Sequence, residues 1–208
     1  MAKVPQVGRV KTRLARQIGP VRAAWFYRHT AAAVISRLSR HPCWETILSV
    51  SPDHDLSHRL WQSRLPRIAQ GRGDIGQRMQ RAMTLPARGP VVVIGTDIPG
   101  IRASHIAHAF KLLGPHDVVF GPAADGGYWL AGQRRRPRCL QMFAGPIRWS
   151  TSDVLSDTLH GLEALRVGFV ATLSDVDDAE DLRLVAGWCG RRILPLHTGN
   201  SPNEPRSG

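Results

Sequence analysis

The chain has 208 residues, 42% of them hydrophobic, enough to bury a sizeable core and too apolar for wholesale disorder. No apolar run approaches the eighteen or so residues of a membrane span, and the arginine-rich start lacks the apolar segment of a secretory signal. The formal charge of +12, from 28 Lys+Arg against 16 Asp+Glu, raises nucleic-acid binding as a reading.

In chain order, the spacing predicts helices over 10–18 and 20–40, broken by Gly19-Pro20. Ala24, Tyr27, Ala31, Val34, Ile35 and Leu38 form the apolar stripe of the second. A strand follows at 45–51, a weak one at 67–69, and a helix from Ile75 to Met83. Val91-Val92-Val93-Ile94 is a continuous β-branched run, as expected of a central strand covered on both faces. A helix at 103–113, strands at 118–120 and 128–131, a helix at 152–164, a strand at 167–173 and a helix at 180–189 complete the series. The alternation predicts a three-layer α/β/α domain on a mostly parallel sheet over 1–193, with 194–208 as a disordered tail.

Arginine supplies nearly all of the positive charge, which points to compositional bias. The dense cluster Arg134-Arg135-Arg136-Pro137-Arg138 has no aromatic ladder beside it and reads as a solvated loop, so nucleic acid is the weaker partner. Cys43, Cys139 and Cys189 are odd in number, widely spaced and lack CxxC, which indicates neither a disulfide framework nor zinc and leaves buried free thiols as the expectation. The expected compartment is the cytoplasm.

Ligands of such sheets gather at the carboxyl ends of the strands. Three aspartates are expected there: Asp97 after the 91–94 strand, Asp125 after 118–120 and Asp177 after 167–173. Each alone could cap a helix or shape a turn. Together they would repel by about 4 kcal/mol per pair at roughly 4 Å in an effective dielectric near 20, and a bound cation is the natural compensation. Mg²⁺ or Mn²⁺ held by Asp97 and Asp177, with further ligands from substrate phosphates, is the expectation. The opening segment supplies cations: Gly8 frees the backbone to approach a ligand, and Lys11 and Arg13 stand near a helix start. Gly71-Arg72-Gly73-Asp74-Ile75-Gly76 matches a dinucleotide fingerprint by spacing, but the strand before it is short, basic and proline-broken. There Asp74 is expected to cap the 75–83 helix.

Six segments, AKVPQVGRVKTRLA, QGRGDIGQRM, VVVIGTDIPG, GPAADGGYWLAG, RWSTSDVL and DVDDAEDL, occur in that order. Together they resemble a bacterial glycosyltransferase family of the GT-A, nucleotide-diphospho-sugar transferase fold, of arsenosugar-biosynthesis type. That family is similar in turn to molybdenum-cofactor and phospholactate nucleotidyltransferases. The resemblance runs from Ala2 to about Val185. It implies that Gly8, Lys11 and Arg13 hold nucleotide phosphates and that Gln70, Gly71 and Asp74 lie near the base or ribose. It implies Asp97 and Asp177 as metal ligands, and an acceptor pocket shaped by Asp125, Gly126 and Gly127 with Tyr128 and Trp149 as walls. Lys11 and Asp125 are then the expected catalytic residues.

Two departures stand out. Asp178 replaces the threonine usual in the family, adding charge beside the presumed ligand. The short apolar strand that precedes the AK-P segment in the family is missing, which suggests a mis-assigned start. The expected activity is metal-dependent glycosyl transfer from a nucleotide-activated sugar to a small-molecule acceptor. The alternative is nucleotidyl transfer from an NTP with release of pyrophosphate. A basic nucleic-acid-binding domain and an inactive, shortened homologue are the remaining readings.

Overall fold

The computed structural model describes residues 1–61, 65–86 and 89–188. Its first two helices are α1 (Thr12–Ile18) and α2 (Pro20–Ser39), with Pro20 at the first turn of α2, where its missing N–H costs nothing. The stripe expected on α2 is buried at Ala24, Tyr27, Ala31, Val34 and Leu38, and Ile35 packs partly buried against the cluster of Leu48 and Val50.

A three-stranded sheet has the order β1 (Ala2–Lys3), β2 (Leu48–Ser51), β3 (Arg67–Ala69), all parallel. A four-stranded sheet has the order β4 (Val91–Ile94), β6 (Tyr128–Gln133), β5 (Val118–Pro122), β7 (Val167–Phe169). In it β6 runs antiparallel to both neighbours while β5 and β7 are parallel. The remaining helices are α3 (Ile75–Thr84), α4 (Ala103–Leu112), α5 (Val154–His160) and α6 (Ala179–Trp188). This is the expected α/β architecture with a mostly parallel sheet. The expected tail at 194–208, and Cys189, lie outside the described residues.

Strand β1 is short but touches both sheets. Ala2 and Lys3 pair with Val50 and Ser51, and the Met1 ammonium donates to Ile94 O at 2.6 Å, joining the two sheets. Burial pushes that ammonium down to about 6, against the opposing pull of Asp97. Because β1 is only two residues long, β2 and β4 flank an apolar groove of about 490 Å³ bordered by Met1, Ile47, Ser49, Ile68 and Val91 to Ile94. The groove explains why Val91, Val92 and Ile94 are half-buried, where their pattern predicts cover on both faces.

Three further expectations change. Residues 53–57 form a 3-10 turn that no periodicity announces. Cys43 is exposed and Cys139 half-buried, so the expected buried thiols are absent at these two positions. The basic loop is only partly solvated: Arg134 pairs with Asp117, and Arg135 donates to Gly89 O, Met83 O and Pro86 O at 2.6, 2.9 and 3.0 Å.

Candidate active site

The site grows from three chain segments that leave the same edge of the sheets. Asp97 follows β4 by three residues. Beyond β7 the chain keeps tracking β5, with Val170 N donating to Phe120 O at 2.9 Å and Leu173 N to Pro122 O at 3.1 Å. Asp175 and Asp177 are thereby delivered beside Asp97. Val176 between them is fully buried against Leu14, Phe26 and Leu182, while the carboxylates of both its neighbours reach Lys11.

The third segment is the loop before α1. Buried Val10 and Leu14 clamp it onto α2, and Lys11 between them takes left-handed backbone angles, φ 45° and ψ 52°. A non-glycine residue there stores strain on the order of 1 kcal/mol or more. The result is an ammonium among carboxylates: Lys11 Nζ lies 3.0 Å from Asp177 Oδ1, 3.1 Å from Asp97 Oδ2 and 3.6 Å from Asp175 Oδ2. Arg13 Nη1 reaches the other oxygen of Asp177 at 3.2 Å.

Electrostatics divide the group. Burial works against the charge on Lys11, but Asp97, Asp177 and Asp175 outweigh it and hold the ammonium above the ordinary lysine range. Burial also pushes on Asp177, where Lys11 and Arg13 prevail and keep the carboxyl below the usual value. For Asp175 burial wins, helped by Asp177, Asp125 and Asp97, and its carboxyl rises to about 6 despite Lys11.

Two cavities, of about 560 and 500 Å³, meet along Arg13, Ile75, Gly95, Asp97, Ser150 and Asp177. The first is bordered by Arg9, Lys11, Tyr27, Gln70 and Thr96. The second is bordered by Asp125, Gly127, Tyr128, Trp149 and Asp175. Its floor is a tight turn in which Asp125 Oδ1 accepts from Gly127 N at 3.0 Å. Gly126 in that turn has φ 86°, and a Cβ there would lie 2.0 Å from Ser152 O. Trp149 packs edge-on to Phe143, and a side chain at Gly76 would strike its indole at 2.4 Å.

Lys11, Arg13, Asp97 and Asp177 thus come together, and Asp125, Gly127, Tyr128 and Trp149 border the adjoining cavity. Others do not join them as expected. Gly8 turns the loop at φ 77° without bordering either cavity. Gln70 borders the first, but its Nε2 is given to Ser49 O at 2.9 Å and Ala2 O at 3.4 Å, tying β1 to β2. Gly71 N donates to Asp53 Oδ1 at 3.0 Å. Asp74 Oδ1 accepts from Gln77 N at 2.8 Å, and Gln77 Oε1 accepts from Asp74 N at 3.3 Å, a reciprocal cap at the start of α3. Asp178 is spent likewise, accepting from Glu180 N at 2.8 Å and Asp181 N at 2.9 Å, a capping task that threonine shares.

Asp175, Ser150 and Arg9 are the residues that sequence reasoning missed. Asp175 carried a usable signal, since Asp-Val-Asp in extended chain places both acids on one side. Ser150, at φ 65°, carried none.

Among the described residues no cluster of histidine, cysteine and acidic side chains stands ready to hold a metal ion. Lys11 Nζ holds the point on which the carboxylates converge. The donors nonetheless suit a hard divalent cation. Asp97 and Asp177 are carboxylates with 38% and 31% of the side chain exposed, and Mg²⁺ typically needs one or two carboxylates plus phosphate and water oxygens.

Residues 34–151, more than half of the chain, match the model of DUF2064, described as uncharacterized protein conserved in bacteria. A crystal structure from Desulfovibrio desulfuricans G20, named as a candidate nucleotide-diphospho-sugar transferase, is 32% identical with a TM-score of 0.83, covering 92% of this chain and 86% of that one. The 4-diphosphocytidyl-2C-methyl-D-erythritol synthase of Anaerococcus prevotii DSM 20548 superposes at a TM-score of 0.56 with 10% identity, covering 85% and 91% of the two chains. Molybdopterin-guanine dinucleotide biosynthesis protein A of Archaeoglobus fulgidus superposes at 0.51 with 15% identity, covering 90% and 96%. These last two share the fold. No curated protein matches the chain significantly.

Proposed function

The chain belongs to the bacterial family DUF2064, and from its site we propose that it is a metal-dependent transferase that moves a sugar from a nucleotide-diphospho-sugar to a small-molecule acceptor. One observation carries this reading: Asp97, Asp175 and Asp177 meet Lys11 and Arg13 where two cavities join. One cavity is sized and charged for a nucleotide diphosphate, and the other is walled by aromatic rings for an acceptor.

Asp97 and Asp177 would hold Mg²⁺ or Mn²⁺, which when bound offsets negative charge on the diphosphate. Lys11 and Arg13 bind phosphate oxygens and stabilise the charge that builds on the leaving diphosphate, with no covalent intermediate required. Tyr128 and Trp149 orient the acceptor against Asp125, whose second carboxylate oxygen can accept a hydroxyl proton. The finer placement among arsenosugar-type glycosyltransferases rests on the six ordered sequence segments. Among the described residues no helix is long and apolar enough to cross a membrane.

The test is to incubate the protein with Mg²⁺ or Mn²⁺ and a panel of nucleotide sugars or NTPs, measuring released nucleoside diphosphate and pyrophosphate. Nucleoside diphosphate supports glycosyl transfer. Pyrophosphate from an NTP assigns the same residues to nucleotidyl transfer, and neither product under any condition ends the transferase reading.

A further inference from the structure

The lysine at the centre of the site has an unusual place, and the role inferred for it rests on the transferase reading. Its side chain is 6% exposed whereas that of Arg13 is 68% exposed, so the two cations do different work. Arg13 reaches Asp177 from solvent. Lys11 sits inside the carboxylate group and engages one oxygen of each acid at 3.0 to 3.6 Å. A divalent cation bound to those carboxylates would stand at contact distance from a positive ammonium. The two charges exclude one another unless Lys11 turns elsewhere.

It has somewhere to turn. Lys11 borders the larger cavity together with Arg9 and Arg13, the side on which phosphate oxygens would lie. A lysine ammonium is a compact charge on a flexible four-carbon stem, so it can exchange carboxylate partners for phosphate partners while its backbone stays fixed. That backbone is fixed, by Val10 and Leu14 on either side.

We propose that Lys11 is the resident counter-ion of Asp97, Asp175 and Asp177 in the ligand-free protein, and that it yields these carboxylates to a divalent cation only as its ammonium moves to the phosphates of an entering nucleotide. Cation and diphosphate then help one another to bind, while the cation alone competes with Lys11. The coupling is reciprocal, because a free energy linking two ligands acts equally on both.

The test is Mn²⁺ binding without nucleotide, read by electron paramagnetic resonance, in the wild type, Lys11→Met and Lys11→Met/Asp97→Asn. Lys11→Met should bind Mn²⁺ alone at least about tenfold more tightly, since three carboxylates lose their counter-charge. The added Asp97→Asn should remove that gain. Equal or weaker Mn²⁺ binding by Lys11→Met overturns the proposal. Where Lys11→Met shows no gain but the wild type binds Mn²⁺ in the presence of nucleotide sugar, only this inference falls; if no variant binds Mn²⁺ under any condition, the metal-dependent reading falls with it. A second measurement needs no variant. The chain has three lysines, so ¹⁵N-lysine labelling can follow the buried Lys11 ammonium directly. Its signal should hold with Mg²⁺ alone and shift with Mg²⁺ plus inorganic pyrophosphate. A signal unmoved by both together contradicts the exchange.

Discussion

Lys11 and Asp177 lie 166 residues apart in sequence, and their Nζ and Oδ1 atoms lie 3.0 Å apart in the fold. The contact closes the loop before α1 onto the segment after β7 and sets a cation among carboxylates that would otherwise repel. It also fixes the charge balance between the two cavities, since Asp97 and Asp175 share the same ammonium. The residues around this contact can each be tested separately.

Asp74 is spent on the start of α3. Asp74→Ala should cost about 1 kcal/mol, a fall of roughly 2–4 °C in Tm, while nucleotide affinity changes less than about twofold. Calorimetry of nucleotide binding checks this. A large loss of affinity with unchanged Tm would return Asp74 to the base or ribose.

Gly126 shapes the turn under the second cavity. In Gly126→Ala the new Cβ meets the backbone oxygen of Ser152, which cannot swing aside, at a φ of 86°. Stability should fall by about 1–3 kcal/mol from the backbone strain alone. Acceptor turnover should fall more than nucleotide binding. Thermal unfolding and paired kinetics measure both.

The loop that carries Trp149 is anchored by Arg148, whose side chain and backbone N–H hold the Asp157 carboxyl down to about 2. A depressed acid stabilises the fold above its ordinary value near 3.9 and loses that contribution as pH falls through the folded value. Asp157→Asn should therefore be less stable than the wild type at pH 5, with the gap closing between about pH 4 and 2. Urea unfolding across that range reads the difference, and a gap that does not vary with pH would contradict the ion pair.

The apolar groove beside Met1 offers a further handle. An engineered extension of four β-branched residues ahead of Met1 would continue the β1 register between β2 and β4. It would replace a buried ammonium with an amide that can still donate to Ile94 O. Each buried side chain contributes on the order of 1.5–3 kcal/mol before the entropy of ordering it. Tm should rise by several degrees relative to a matched glycine-serine extension. No difference between the two would show that the groove does not accept a strand.

Much of this fold is legible in the sequence because its elements are amphipathic in ordinary ways. The α2 stripe and the β-branched 91–94 run place themselves. The two residues of β1 are too few to show any period, and their pairing depends on partners some fifty residues away. In the site, Asp97 and Asp177 are readable as acids following strands. Their sharing of Lys11 is not, because only the tertiary fold brings 11, 97, 175 and 177 together. Gly71 and Asp74 resemble ligand contacts in sequence because helix caps and phosphate loops use the same residue types. Local hydrogen bonding takes Asp74 for the cap.

The role of the shared carboxylates is read most closely by calorimetric binding of a nucleotide sugar in Mg²⁺ or Mn²⁺ to the wild type, Asp97→Asn and Asp177→Asn. Each substitution should lower metal-dependent affinity by about tenfold or more while circular dichroism shows an intact fold. Unchanged affinity in both folded variants would contradict a metal and diphosphate site at these residues.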